Sequence, residues 1–309
     1  MKNAIHSLVI ACKRRLRGNL PASNHSSSQE YWTEHNVTSH ATFSSISQSL
    51  EYLEWRNSQY LGYIDLMPVS GFDDKVIVDY GCGPGHDLVG FISSSRPARL
   101  IGMDVSRTSL VEAKARVDLH SGSVDLMHID QDEQRLPLSD ASVDVIHSSG
   151  VLHHTKDPSR ILREFRRILK PGGFAQVMVY NYNSIWLHLY VAYHRMILNN
   201  LVGNGSLRDA FRSSTDGPDC PISDCYTSSQ FLRLALGSGL SGSFRGAAIS
   251  VHEMKQLPTR WDAFENRRLN PESRKFLSEL LFDNRGVPTH RGAVAGVDGC
   301  FELRVNNSD

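Results

Sequence analysis

The sequence predicts an α/β protein built on a doubly wound, mostly parallel, seven-stranded sheet. Three observations carry that prediction. Short apolar runs such as "KVIVDY" and "RLIGMD" have the near-continuous character of strands buried on both faces. Amphipathic stretches long enough for crossover helices lie between such runs. A glycine-rich turn, "GCGPGHD", joins the first run to the first crossover helix.

The elements follow in order. The first 29 residues hold Lys2, Lys13, Arg14, Arg15 and Arg17 and no acid, so 1–30 reads as a basic, flexible segment. A surface helix against anionic lipid and an organellar transit peptide share that composition. Residues 31–72 form a helical segment over the ligand cleft, with Leu50, Leu53, Tyr60, Leu61 and Ile64 on one stripe of a single helix in "LEYLEWRNSQYLGYIDLM". The core spans 73–183. Its strands are "KVIVDY", "RLIGMD", "SVDLMHI", "SVDVIHSS" and "FAQVMVY". Ser106 caps the helix after the second strand, and Pro158 opens the helix that "PGG" later stops. Residues 184–309 hold lid-like insertion elements and the last strands of the core: helices in "SIWLHLYVAYHRMILNNL", "YTSSQFLRLALGSGL" and "NPESRKFLSELLF", and strands in "SFRGAAISVHEM" and "GCFELRV".

Charge narrows the partners. The 309 residues carry 33 basic and 33 acidic side chains, so no global field draws the chain to nucleic acid or to an anionic membrane. No long basic stripe marks a nucleic-acid module. The run "SLVIAC" is too short to span a bilayer, which leaves only weak peripheral membrane contact. Five cysteines suit a reducing compartment and a cytoplasmic location. Cys220 and Cys225 lack a second Cys/His pair, so no metal is expected. Oligomeric state is not legible.

The chemistry centres on "VIVDYGCGPGHD", residues 76–87. Gly81, Gly83 and Gly85 let a ligand lie against the backbone at the carboxyl end of the sheet. Asp104 ends the next strand, where a carboxylate accepts from both hydroxyls of a ribose. Asp132, in the loop after the third strand, suits the amino group of adenine, and Asp79 a charged amino group. Each has a bland reading as a cap, a turn brace or a solvated acid. Their placement on successive strand ends favours the functional one.

The segments "VDYGCGPG", "IGMDVS", "DEQRLPLSDASVDVIHSSGVLHH" and "EFRRILKPGGFAQV" resemble the successive motifs of class I methyltransferases, and more closely the ubiquinone and menaquinone biosynthesis branch. The resemblance implies a Rossmann-like fold and S-adenosylmethionine as cofactor. It sets Gly81, Cys82, Gly83 and Gly85 beside the methionine and ribose, and Asp104 with Val105 at the ribose. It also implies Asp132 and the backbone of Glu133 at the adenine, with Asp130 as fallback, and Ser148 near the methionyl part.

Residues for the acceptor are read from position. His153 and His154 follow the fourth strand, where an imidazole can take a proton near neutral pH; packing under the next helix is the competing reading. Tyr31 and Trp32 supply aromatic faces for a sulfonium or an acceptor. Arg56 suits the methionine carboxylate, against a solvated reading. Tyr180 and Asn181 end the fifth strand at the cleft. The reaction expected is methyl transfer to a small-molecule, sugar or lipid-linked acceptor, with a slight preference for oxygen. Two other classes compete: a non-catalytic S-adenosylmethionine-binding protein, and an NAD-dependent oxidoreductase. The second is disfavoured because His86 stands where G-x-G-x-x-G needs its third glycine.

Overall fold

The structure, a computed structural model, describes residues 27–36, 42–132, 134–201 and 205–306. The expected basic start lies mostly outside the described residues. The strands are β1 (Tyr60–Leu61), β2 (Val76–Tyr80), β3 (Arg99–Asp104), β4 (Asp125–His128), β5 (Val143–Ser149), β6 (Leu169–Tyr180), β7 (Leu240–Ser250), β8 (Leu281–Phe282), β9 (Pro288–His290), β10 (Ala293–Val294) and β11 (Asp298–Val305). Eight of them form one sheet in the order β1-β7-β11-β6-β5-β2-β3-β4. Strands β2 to β7 share one direction, and β11 runs between β6 and β7 antiparallel to both. The order reverses at β2, which lies between β3 and β5. That reversal opens a crevice at the carboxyl ends of these strands, just where the glycine turn leaves β2.

Both faces are covered, which is why the strands read as apolar runs. On one face Val78, Ile101 and Ile146 meet Phe165 of helix Pro158–Ile168 and Phe231 of helix Ser228–Gly237. On the other, Ile77, Leu100 and Val145 meet Leu88 and Phe91 of helix His86–Ser94 and Val117 of helix Arg107–Leu119. Each fully buried Leu, Ile or Phe contributes roughly 1.5–3 kcal/mol. Ser106 caps its helix by accepting from the Ser109 N–H at 3.2 Å. Asp157 does the same for the helix that Pro158 opens.

Four readings change. An eighth strand, β1, pairs with the edge strand β7 (Tyr60↔Ser250) and breaks the expected helix at 50–67 into Ile46–Ser58 and Tyr63–Leu66. Gly62, at φ +82°, makes the break, and Tyr63 and Met67 are buried rather than Leu61 and Ile64. The fifth core strand starts before "FAQVMVY": Leu169 pairs with Val143 and Phe174 with Val145, so Lys170–Gly173 bulge. The "VHEM" part of "SFRGAAISVHEM" is helix Val251–Gln256, because Ser250 and Glu253 close a capping box. Beyond β6, helix Trp186–Leu198 has π winding and packs with Ile249, Phe276 and Ala295 into its own apolar cluster, beside a small sheet β10-β9-β8.

Candidate active site

The glycine turn is bound to its neighbours by backbone. The Gly81 and Cys82 N–H groups donate to the Met103 carbonyl at 2.7 and 3.0 Å. Gly81 sits at φ +79°, and a Cβ there would come within 2.2 Å of Val151 Cγ2. At Gly83, φ +51°, a Cβ would meet nothing within 4 Å, so this glycine borders open space. The buried Asp104 carboxylate accepts from the Gly83 N–H (2.7 Å) with one oxygen and from the Ser106 N–H (2.7 Å) with the other. Each oxygen keeps a second lone pair for a ligand hydroxyl. Between them the Val105 carbonyl accepts from His128 Nε2 at 3.1 Å.

Asp79 is 2% exposed, and its Oδ2 has no hydrogen-bond partner among the described residues. Burial pushes its carboxyl up to about 7, against the pull of His147. A buried carboxylate oxygen without a donor is rare in folded proteins. This one stands at the end of β2, immediately before the glycines. It fits the cationic amino group of an amino-acid-bearing nucleoside, the part that S-adenosylmethionine presents.

The remaining cofactor-side residues fall out differently. Asp130 and Asp132 are exposed on the loop after β4, with the Asp132 N–H on Asp130 Oδ1 at 2.9 Å. Glu133 lies outside the described residues. Ser148 is buried and its hydroxyl donates to the Tyr80 carbonyl at 3.1 Å, so it is turned into the sheet. The next residue, Ser149, points the other way and bonds the Tyr63 hydroxyl at 2.6 Å. Arg56 is not free for a ligand carboxylate: its fork is closed on Asp87 at 2.7 and 3.1 Å. His147 adds a contact to Asp87 at 3.2 Å. Burial works against the charged form of Asp87, yet Arg56 and His147 hold its carboxyl well below the usual range. Arg56 therefore clamps helix Ile46–Ser58 to the helix that follows the glycine turn.

On the acceptor side, the Tyr180 ring stacks on His153 at 3.8 Å, and its hydroxyl donates to Asp216 Oδ1 at 2.9 Å. Asn181 is buried and its amide is engaged by Asn183 and Gly296, so it braces the loop and offers nothing to a ligand. His153 Nδ1 accepts from the Tyr180 N–H at 3.2 Å. In the neutral ring Nε2 then carries the proton, and burial pushes His153 well below its ordinary value. His153 is thus a hydrogen-bond donor with no lone pair left for a base role. Its Nε2 is buried and without a partner among the described residues. His154 has the opposite arrangement, with Nδ1 2.7 Å from the Ile222 carbonyl.

Helix Ser28–Glu34 lies across this end of the sheet. The Ser28 hydroxyl donates to the His154 carbonyl, the Gln29 N–H to Gln131 Oε1, and the Thr108 hydroxyl to the Thr33 carbonyl. The Tyr31 hydroxyl donates to the Asp216 carbonyl, and Trp32 sets its ring 4.8 Å from that of His154. Residues the sequence did not mark are Asp87, Ser149, Asp216 and Asp298. Asp298 heads β11 opposite Tyr180, is 4% exposed, and burial pushes its carboxyl up to about 8. Asp216 lies in a polar stretch without periodicity, so no signal could have found it.

His154, Asp216 and Cys220 bring potential metal ligands within 4.8 Å of one another. The Cys220 thiol, however, lies 3.9 Å from Nδ1, while Asp216 faces Nε2. Burial pushes the Cys220 thiol up to about 12, away from the thiolate a metal needs, so the trio is not a ready ligand set.

Comparison with known proteins gives this fold and site a class. Residues 78–177 match the methyltransferase domain family. A chain of the complex between the Haloferax volcanii Trm112 methyltransferase activator and the putative methyltransferase superposes with a TM-score of 0.53 at 18% identity, covering 91% of this chain and 100% of that one. That likeness is one of fold. The chain carries a class I, S-adenosylmethionine-dependent methyltransferase domain on a Rossmann-like sheet. An uncharacterized 37.1 kDa protein in transposon TN4556 of Streptomyces fradiae is 35% identical over 135 residues, 41% of this chain and 38% of that protein. The chloroplastic 2-methyl-6-phytyl-1,4-hydroquinone methyltransferase of Spinacia oleracea is 32% identical over 119 residues, 38% of this chain and 33% of that protein. The ubiquinone biosynthesis O-methyltransferase of Paracidovorax citrulli is 29% identical over 130 residues, 41% of this chain and 52% of that protein. The chain thus spans about half or less of the length of these relatives. Among the described residues, no helix is long and apolar enough to cross a membrane.

Proposed function

We propose that the whole protein is an S-adenosylmethionine-dependent methyltransferase acting on a small-molecule, sugar or lipid-linked acceptor, with a slight preference for oxygen. The observation that carries the reading is the unpartnered Asp79 Oδ2 beside a glycine turn that Asp104 tethers at Gly83. Asp79 would accept from the amino group of the methyl donor, Asp104 from its ribose hydroxyls, and the exposed loop at Asp130 and Asp132 from the adenine amino group. When bound, the sulfonium supplies an activated methyl group. What the chain adds is orientation and exclusion of water, which can lower a barrier by several kcal/mol.

A small acceptor is supported by what surrounds the strand ends. Helix Ser28–Glu34, the Tyr180 end of β6 and the Asp216 segment converge there, which suits an enclosed ligand better than a polymer. Tyr31, Trp32 and Tyr180 would contact the acceptor. The test is labelled S-adenosylmethionine with fractionated extract of the source organism, beside calorimetric titration with S-adenosylmethionine and with NADH. A labelled small product and binding of S-adenosylmethionine alone are expected. Tight binding with no transfer to any fraction would instead mark a non-catalytic binding protein.

A further inference from the structure

A carboxylate of the late segment reaches the second histidine of "LHH". Asp216 Oδ2 lies 3.9 Å from His154 Nε2, with both side chains largely buried. The other nitrogen, Nδ1, is 2.7 Å from the Ile222 carbonyl. A carbonyl only accepts, so Nδ1 carries the proton, and in the neutral ring the lone pair is on Nε2. Three elements hold Asp216 opposite it. Tyr180 at the end of β6 donates to Oδ1 at 2.9 Å, Ser223 to Oδ2 at 2.7 Å, and Tyr31 of the covering helix to the Asp216 backbone carbonyl.

The other groups against the His154 ring are the rings of His153 (4.2 Å), Trp32 (4.8 Å) and Tyr180 (5.7 Å), and the Cys220 thiol, 3.9 Å from Nδ1. Burial keeps His153 neutral and pushes the Cys220 thiol up to about 12. Among these groups, Asp216 is the charge that faces His154.

Resting on the methyltransferase reading, we infer that His154, oriented by the Ile222 carbonyl on Nδ1, takes the proton of an acceptor hydroxyl or amino group on Nε2, and that Asp216 acts on this step as the counter-charge of the imidazolium. The O–H or N–H bond breaks and its proton goes to Nε2. The heteroatom's electron pair forms the bond to the methyl carbon as the carbon–sulfur pair returns to sulfur. The imidazolium is then balanced by Asp216. This names the acceptor class as one whose attacking oxygen or nitrogen carries a proton.

The experiment uses the full chain with Asp216→Asn, His154→Gln, the double variant and Ser223→Ala, which keeps the carboxylate. S-adenosylmethionine affinity is expected within about twofold of the parent in all four, because none of these residues is on the cofactor side. Labelled transfer into the extract is expected to fall by about 10²-fold or more in Asp216→Asn and by less than about tenfold in Ser223→Ala. The double variant is no slower than His154→Gln alone. Long-range nitrogen spectra of the parent place the His154 proton on Nδ1 in the neutral ring, a readout that needs no acceptor and no active enzyme. Parental rate in Asp216→Asn, additive losses in the double variant, or a neutral ring protonated on Nε2 each overturn the assignment. A parent that fails to bind S-adenosylmethionine overturns the methyltransferase reading instead, and with it the catalytic role given to the pair.

Discussion

The Gly83 N–H donates to Asp104 Oδ2 at 2.7 Å, so the glycine turn after β2 and the acid that ends β3 form one structure before any ligand arrives. A hydrogen bond to a charged group contributes about 1.5–3 kcal/mol. Replacing Asp104 with alanine removes both this tether and the proposed ribose acceptor. S-adenosylmethionine affinity should fall at least about tenfold, the factor that 1.4 kcal/mol represents. Calorimetry on Asp104→Ala measures it, and unchanged affinity would remove Asp104 from the site.

Asp79 gives binding a pH dependence. Burial holds its carboxyl up at about 7 in the free protein, and a cationic amino group beside it favours the ionised form. Binding should therefore release a proton near neutral pH, and affinity should rise as pH climbs from about 6 to 8. Titrations in buffers of different ionisation enthalpy count the proton. Asp79→Asn should abolish the release, and a pH-independent parent argues against the contact.

Asp298 bears on stability. Its folded value, about 8, exceeds the ordinary carboxylate value near 3.8. For a carboxyl raised on folding, the unfolded chain releases its proton first, so the contribution of Asp298 to stability is fully present below about pH 4 and is lost as pH rises through 8. Asp298→Asn should be more stable than the parent at pH 9 and should flatten the decline in melting temperature between pH 5 and 9. A steeper decline in the variant would show that the carboxyl is not held protonated.

Gly81→Ala tests the tight side of the turn. A left-handed alanine costs about 1–2 kcal/mol, and the contact with Val151 adds overpacking of about 1–3 kcal/mol. Denaturation midpoints should fall accordingly. Adding Val151→Ala should recover the overpacking part and not the backbone part. No loss on Gly81→Ala would mean the turn has another conformation.

The clamp Arg56–Asp87 is a buried ion pair, and removing one partner strands the other. Arg56→Ala should destabilise the fold by about 3–5 kcal/mol. Arg56→Met with Asp87→Leu should recover much of that, as read by chemical denaturation. If the single variant is neutral, helix Ile46–Ser58 is held by its other contacts.

Much of the core was legible because its signals are local. Apolar runs, Ser106 and Asp157 as caps, and glycines at positive φ act within a few residues of where they are written. The alternation of strand and helix then determined the parallel sheet, and the resemblance of the motifs between Val78 and Val177 gave the cofactor class. Tertiary structure decided the rest. Gly62 and the unpaired edge of β7 turned one expected helix into two helices and a strand. Asp87 claimed Arg56. The loop behind β6 claimed Asn181, and the Tyr180 N–H fixed the proton of His153 on the wrong nitrogen for a base. Asp216 came to His154 from a polar stretch 62 positions away. A side chain's chemistry is set by the donors, charges and burial around it, and those neighbours come from distant parts of the chain. The sequence alone therefore shows a local turn or cap more readily than which distant carboxylate faces a given histidine.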